Sequence, residues 1–143
     1  GVKVAAYGVF RKRFYIRSTN KLLSFSVLPL TEIENKWNID LSAVSAKGTS
    51  TKRWDFVVKT KSKIFVIETN FYASSGSKLN ETARSYKMIA EEAKEIPNFE
   101  FVWITDGAGW KDAKRNLEET FIVLENLYNI TDMENGILNR IFK

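Results

Sequence analysis

The chain has 143 residues, 27% charged and 44% hydrophobic, and is therefore large enough for one domain with a buried core. It contains no cysteine and no histidine, which excludes disulfides, thiolate or histidine metal sites, and catalysis by a histidine base. No signal peptide is visible, and no apolar run approaches the ~18 residues of a membrane span, so we expect a cytoplasmic protein. Any hydrolytic chemistry must depend on carboxylates, lysines and a hard metal ion.

The net charge of +5 is unevenly distributed along the chain. Residues 1–63 contain 13 Lys or Arg against 4 Asp or Glu, a net charge of +9, whereas residues 64–143 contain 9 against 13, a net charge of −4. A basic half suits a polyanionic partner such as nucleic acid. The alternative is a set of ordinary solvated lysines, which many proteins carry.

The first third of the chain is predicted to be rich in strands. Residues 14–17 and 23–27 are candidate strands on either side of a turn at residues 18–20. Residues 31–34 match a capping box, which predicts the start of a short helix. Residues 41–51, rich in Ser, Thr, Ala and Gly, are typical of a loop.

A β-hairpin is predicted next, because residues 54–59 and 63–70 are β-branched and aromatic and a short polar link joins them. If Lys59 pairs with Ile64, counting outward places Asp55 opposite Glu68. Opposed residues point to the same side of a sheet.

Two adjacent carboxylates repel each other unless a positive charge lies between them. Mg²⁺ suits this position, because it binds one or two carboxylates together with phosphate oxygens. Asn70 lies two residues beyond Glu68 and therefore faces the same way. The pattern predicts a metal-dependent phosphodiesterase site; the alternative is that Asp55 and Glu68 are solvated or paired with lysines.

The second half of the chain alternates helices and strands. The predicted elements are a helix at 78–95, a strand at 99–105, a turn at 106–109, a helix at 111–129 and a last helical turn at 137–142. Leu117, Phe121, Leu124 and Tyr128 mark the apolar face of the second helix. The order predicts an α/β fold with a mixed sheet, in which the connection from the Glu68 strand to the next strand is a parallel, right-handed crossover.

Five blocks in this order resemble the PD-(D/E)xK nuclease superfamily, and within it the DpnII/MboI group of type II restriction endonucleases. The resemblance covers residues 52–125. Its blocks are D-F-V at 55–57, I-E-T-N-F-Y at 67–72, G-S-K-L-N-E at 76–81, R-S-Y-K at 84–87 and F-V-W-I-T-D-G at 101–107.

The resemblance implies a restriction-endonuclease-like core, a mixed central sheet flanked by helices. It also implies Mg²⁺-dependent cleavage of double-stranded DNA at GATC and, because the site is palindromic, a homodimer. Members of the group are considerably longer. We therefore expect residues 1–143 to form a single endonuclease-like domain, the C-terminal part of a longer protein.

The resemblance also assigns site residues. Its metal ligands are Asp55, Glu68 and the main chain of Thr69. The position of the superfamily's usual lysine is occupied by Asn70, which carries no positive charge. We expect Lys78, at the start of the predicted helix, to supply that charge, with Lys87 as the alternative. The predicted catalytic residues are thus Asp55, Glu68, Asn70 and Lys78.

Basic residues are the predicted DNA contacts, namely Lys78, Arg84, Lys87, Arg11 and Arg13. For each the alternative is a solvated surface side chain. A second function also stays open, that of a non-catalytic DNA-binding module or an inactive fragment with the nuclease fold. Asn70 favours this second function, whereas the opposed carboxylates favour the enzyme.

Overall fold

The computed structural model describes residues 3–5, 15–18, 21–23, 30–45 and 54–142. Its strands are β1 Lys3–Ala5, β2 Tyr15–Ser18, β3 Lys21–Leu23, β4 Phe56–Lys59, β5 Ile64–Phe71, β6 Phe99–Asp106 and β7 Leu127–Tyr128. Its α-helices are α1 Leu30–Trp37, α2 Ser42–Ser45, α3 Ser77–Ala93, α4 Lys114–Val123, α5 Ile130–Glu134 and α6 Ile137–Ile141, with a 3₁₀ helix at Ala108–Ala113. None of these helices combines the length and the apolar character that crossing a membrane requires.

The central sheet has the strand order β4-β5-β6-β7. β4 and β5 form the predicted antiparallel hairpin, while β5–β6 and β6–β7 are parallel pairs. A parallel pair needs a crossover connection, and α3 supplies it between β5 and β6. The mixed sheet flanked by helices confirms the predicted fold class.

β1, β2 and β3 form a separate antiparallel sheet. Ser18 pairs with Lys21, so two strands do adjoin here as predicted, but Ser18 belongs to β2 rather than to the turn and β3 begins two residues before the strand predicted at 23–27. Residues 14 and 24–27 of the two predicted strands lie outside the described residues. The short helix predicted at residues 31–34 is α1.

Apolar side chains cover both faces of the central sheet. On one face, Val66 and Trp103 pack in a core cluster with Leu79 and Ala83 of α3. On the other face, Phe65, Ile67, Val102 and Ile104 pack with Met133, Leu138 and Phe142 from the C-terminal helices. Burial on both faces explains why β5 and β6 are nearly continuous hydrophobic runs rather than alternating ones.

The helix predicted at residues 111–129 is wrong after Val123. α4 ends at Val123, Leu124 has an extended backbone, and β7 pairs in parallel with Trp103 and Ile104 of β6. Phe121, predicted to lie on the buried face, is 57% exposed. The hydrogen bonds and burial gained by joining the sheet outweigh the helical spacing of Leu124 and Tyr128.

The loop predicted at residues 41–51 contains one helical turn, α2. Leu41 and Val44 are both buried in the core. A helical turn places residues three apart on the same face, so it directs both side chains into the core. The Ser42 backbone N–H donates to Asp40 Oδ1 over 2.9 Å, and this hydrogen bond lowers the pKa of Asp40. Residues 46–51 lie outside the described part of the chain.

Candidate active site

Asp55 and Glu68 meet at the open end of the hairpin. Lys59 pairs with Ile64 as predicted, and Phe56 pairs with Ile67, so the next step outward brings Asp55 to Glu68. Both carboxylates lie on the sheet face that α3 covers, because side chains alternate along a strand. Asp55 is 9% exposed and Glu68 is 5% exposed, which makes this a buried acidic pair.

Thr69 fixes the orientation of the Asp55 carboxylate. Its backbone N–H donates to Asp55 Oδ2 over 3.0 Å, and its hydroxyl donates to the same oxygen over 3.3 Å. Asp55 precedes β4, so these hydrogen bonds tie the carboxylate to the neighbouring strand at a point where the ladder has ended. The role of the Thr69 main chain as a metal ligand stays a prediction.

Asn70 is held by the indole of Trp103. Trp103 Nε1 donates to Asn70 Oδ1 over 3.1 Å, and Trp103 itself is fully buried next to Glu68 in the β5–β6 register. An indole N–H can only donate, so the oxygen of the amide has to face it. The NH₂ group of Asn70 therefore points away from Trp103.

Tyr86 is a site residue that the sequence interpretation missed. Its ring packs edge-on against Trp103, with centroids 4.9 Å apart, and against Phe101 at 5.5 Å. Burial raises the pKa of Tyr86 well above its usual range, and the charges of Glu68 and Asp55 raise it further. The phenol is therefore near enough to both carboxylates for their charges to act on it.

The sequence did carry a weak signal for this residue. Tyr86 follows Leu79 and Ala83 at helical spacing, so its ring belongs to the apolar face of α3. A tyrosine in such a position buries its ring while its hydroxyl seeks a polar partner. Nothing in the local pattern identifies that partner.

The predicted lysines flank Tyr86 on α3. Lys78 and Lys87 are nine residues apart, which places them about 180° apart around the helix. The side chain of Lys78 is exposed, and within the described part of the chain it makes no hydrogen bond or ion pair; Lys87 is half-buried. Because the two lysines lie on opposite sides of α3, they cannot both face the carboxylates.

Arg84 lies two residues before Tyr86, about 160° around α3, and its side chain is exposed. It therefore points away from the acidic pair, and a DNA contact there stays a prediction. Arg11 and Arg13, the other predicted DNA contacts, lie outside the described residues.

The turn after β6 fixes the backbone that follows β5. The Gly109 N–H donates to the Tyr72 carbonyl over 2.9 Å, and Tyr72 donates its own N–H to the Asp106 carbonyl over 3.0 Å. A Cβ on Gly107, whose φ is +118°, would lie 2.1 Å from the Tyr72 oxygen. The two segments are thus in direct backbone contact, which only glycine permits.

Within residues 30–45 and 54–142, no three His, Cys, Asp or Glu side chains gather as a set able to hold a metal ion. Asp55 and Glu68 offer two carboxylates. Mg²⁺ commonly completes its six oxygen ligands with water and phosphate oxygens, so two carboxylates are chemically sufficient.

The family model for the DpnII restriction endonuclease matches residues 12–140. The chain belongs to the DpnII restriction endonuclease family. This confirms the resemblance drawn from the five sequence blocks.

Three curated relatives are named type II restriction enzymes. The chain is 57% identical to DpnII of Streptococcus pneumoniae over 117 residues, which is 82% of the chain and 41% of the relative. It is 47% identical to MboI of Moraxella bovis over 100 residues, which is 70% of the chain and 36% of the relative. It is 34% identical to LlaDCHI of Lactococcus lactis subsp. cremoris over 114 residues, which is 78% of the chain and 36% of the relative.

The matched region thus spans about two fifths of these relatives, between 36% and 41% of their length. No solved structure matches the chain. The family is therefore established from sequence alone, and the mixed sheet agrees with a restriction-endonuclease-like fold.

Proposed function

We propose that the chain is the core of a Mg²⁺-dependent type II restriction endonuclease that hydrolyses phosphodiester bonds of double-stranded DNA at GATC. The observation that carries this proposal is the buried pair Asp55 and Glu68, on adjoining arms of one hairpin, in a chain of the DpnII family. The names of the relatives, all type II restriction enzymes, support the reaction class.

Asp55, Glu68 and the main chain of Thr69 would hold the metal ion. The donors fit Mg²⁺, because carboxylate and carbonyl oxygens are the hard ligands it prefers. When bound, the ion would lower the pKa of a water molecule and compensate charge on the phosphate. Thr69 keeps the Asp55 carboxylate oriented, and the cover of α3 limits the access of bulk water to both carboxylates.

Positive charge from the protein would come from Lys78, or from Lys87 in its place. Such a charge stabilises the negative charge that develops on the phosphoryl oxygens. A palindromic four-base site presents each strand in the same way, so we propose a two-fold homodimer with one site for each strand.

A non-catalytic DNA-binding module is the second candidate. Asn70 favours it, because the amide lacks the charge of the superfamily's lysine.

Cleavage and binding assays on matched duplexes separate the two candidates. We expect Mg²⁺-dependent cuts in a duplex with one GATC and none in the same duplex carrying GTAC. Asp55→Asn and Glu68→Gln should abolish cutting while retaining binding in Ca²⁺. Binding without cutting in Mg²⁺ or Mn²⁺ would favour the module, and neither binding nor cutting would contradict both candidates.

A further inference from the structure

An apolar surface is exposed at the C-terminal end of α4. Phe121 is 57% exposed and Ile122 is 78% exposed, the two highest values among the large hydrophobic side chains that the structure describes. Both line a recess of about 440 Å³ beside β7, whose other apolar walls are Leu117, Leu127 and Tyr128. Neighbouring exposed apolar side chains beside a recess are typical of a surface that another protein covers. We call it the α4–β7 surface.

The α4–β7 surface lies at the same end of the central sheet as the acidic pair. Thr105 is one wall of the recess, and it pairs with Asn70 in the β5–β6 register. Among the described strands of this sheet, β7 is at the edge, and β6 separates it from the hairpin that carries both carboxylates. A partner on this surface would therefore lie beside the site.

Charged side chains are arranged around this surface in a self-complementary order. Exposed Lys114 lies at the start of α4, and exposed Glu125 follows the end of the helix. When two α4 helices lie antiparallel, residue numbers rise along one as they fall along the other. An alignment that sets Lys114 opposite Glu125 of a second copy also sets Leu117 opposite Ile122 of that copy. The same arrangement thus matches both opposite charges and apolar side chains.

We propose that the α4–β7 surface is a two-fold interface between two copies of this chain, with their α4 helices antiparallel and Ile122 of each copy packed on Leu117 of the other. A two-fold contact uses one patch on both subunits, so the patch has to be complementary to itself. The inference deepens the proposed function by giving its homodimer a surface, and it rests on that function for the assembly on DNA. The self-association is tested without DNA.

The size of the surface predicts a weak dimer. Two exposed apolar side chains and their half-buried neighbours offer on the order of 300 Å² in each copy, against the ~800 Å² that each partner buries in a standard interface. We therefore expect reversible association of the free chain. A duplex with two identical half-sites would strengthen it by holding two copies close together.

Sedimentation equilibrium of the DNA-free chain tests the surface, at concentrations from roughly 10 µM to 1 mM. The average mass should rise from monomer toward dimer. Ile122→Gln should weaken the association about tenfold, because each dimer loses two apolar contacts. The matched control is Met88→Gln, which removes an exposed apolar side chain of α3 and should leave the association unchanged. A monomer at every concentration, or equal weakening by both variants, would overturn the proposal.

A charge exchange tests the antiparallel arrangement. Lys114→Glu and Glu125→Lys should each weaken the association about tenfold at low salt, and the double variant should regain the parent's value to within about threefold. Lys61→Glu makes the same charge change at the exposed hairpin turn and is the control. Far-UV circular dichroism checks that each variant keeps its fold. Weakening that the double variant does not reverse would overturn the arrangement.

The restored association also distinguishes a second copy from any other occupant. A further segment of a longer protein, or an unrelated partner, would carry its own charges, and exchanging the two charges of this chain would not restore its binding. A chain that self-associates through this surface but neither binds nor cuts DNA would contradict the proposed function alone. A chain that cuts DNA but stays monomeric without it would overturn only the surface.

Discussion

Two buried carboxylates at one point of the sheet have to be compensated by donors or positive charge. Asp55 receives two hydrogen bonds from Thr69, and the charges of Glu68 and Asp55 add to the effect of burial in raising the pKa of Tyr86. The two hydrogen bonds from Thr69 orient the Asp55 carboxylate without neutralising it. At the scale of single residues, the site is therefore a buried pair of carboxylates, one of which is oriented by its neighbour, and metal binding by this pair stays a prediction.

Divalent metal should stabilise the folded chain by linkage. At a tenfold excess over Kd, the stabilisation is about 1.4 kcal/mol, visible as a higher thermal midpoint in Mg²⁺, Mn²⁺ or Ca²⁺. Asp55→Asn and Glu68→Gln should lose this response. Asp112→Asn, which changes an exposed carboxylate of the 3₁₀ helix, is the control and should keep it. An equal response in all variants would contradict the assignment of the ligands.

Lys78→Ala should reduce cleavage about 10²–10³-fold with DNA binding largely kept, because one preorganised electrostatic donor is lost. Lys87→Ala is the informative comparison, since Lys87 lies about 180° away on the same helix. Single-turnover cleavage rates of the two variants, measured in a form of the protein that cuts DNA, show which lysine supplies the positive charge. A Lys78→Ala rate within a few-fold of the parent would leave Lys78 as a solvated first-turn residue.

Alkaline pH should destabilise the fold through the half-buried Tyr128. Burial raises the pKa of Tyr128 above its ordinary value of 10.0, and the charges of Glu100 and Asp132 raise it further. The unfolded chain therefore loses this proton first, so stability is retained below about pH 10 and falls as the pH rises further. Urea midpoints between pH 8 and pH 11 should show a shallower decline in Tyr128→Phe. An identical decline in both proteins would contradict the raised pKa.

At the scale of elements, the turn after β6 fixes the end of β5. The Gly109 N–H donates to the Tyr72 carbonyl, and its Cα lies against the backbone of Ser74. The segment leading from Asn70 into α3 is thereby anchored by backbone contacts rather than by long side chains. A loop held in this way preserves the geometry of the site at little entropic cost.

Gly109→Ala should destabilise the protein by about 1–3 kcal/mol, because the new Cβ would lie 2.4 Å from the Ser74 carbonyl oxygen and the backbone has to shift. Gly76→Ala is the matched control. A Cβ at Gly76 would meet nothing within 4 Å, so this change should cost at most about 0.5 kcal/mol. Chemical denaturation of both variants measures the difference. Equal stability of the two variants would contradict the close approach.

At the scale of the whole molecule, the net charge of +9 in residues 1–63 predicts DNA binding that depends strongly on salt. Log K should fall linearly with log salt concentration, with a slope near the number of phosphates neutralised. Fluorescence anisotropy of a labelled duplex in Ca²⁺, over a series of salt concentrations, measures this slope. A flat response would contradict an electrostatic contribution from the basic half.

The register of the site hairpin could be predicted from the local sequence. Strand alternation and a short link depend only on neighbouring residues, so the pairing of Lys59 with Ile64 could be counted outward to Asp55 and Glu68. The same holds for α3 and β6, whose apolar patterns are long and regular. The ordered blocks identified the family for the same reason, because they are local strings of residues.

Which helices and strands contact one another could not be predicted from local patterns. In the sequence, Tyr86 is one more residue on the apolar face of α3. In the structure, the crossover packs that helix on the sheet face that carries the two carboxylates. The spacing of Leu124 and Tyr128 favours a helix, but this segment instead forms β7, because it pairs with the edge of β6. In both cases a contact between residues distant in sequence outweighs the local preference, since burial and backbone pairing contribute more than intrinsic propensity.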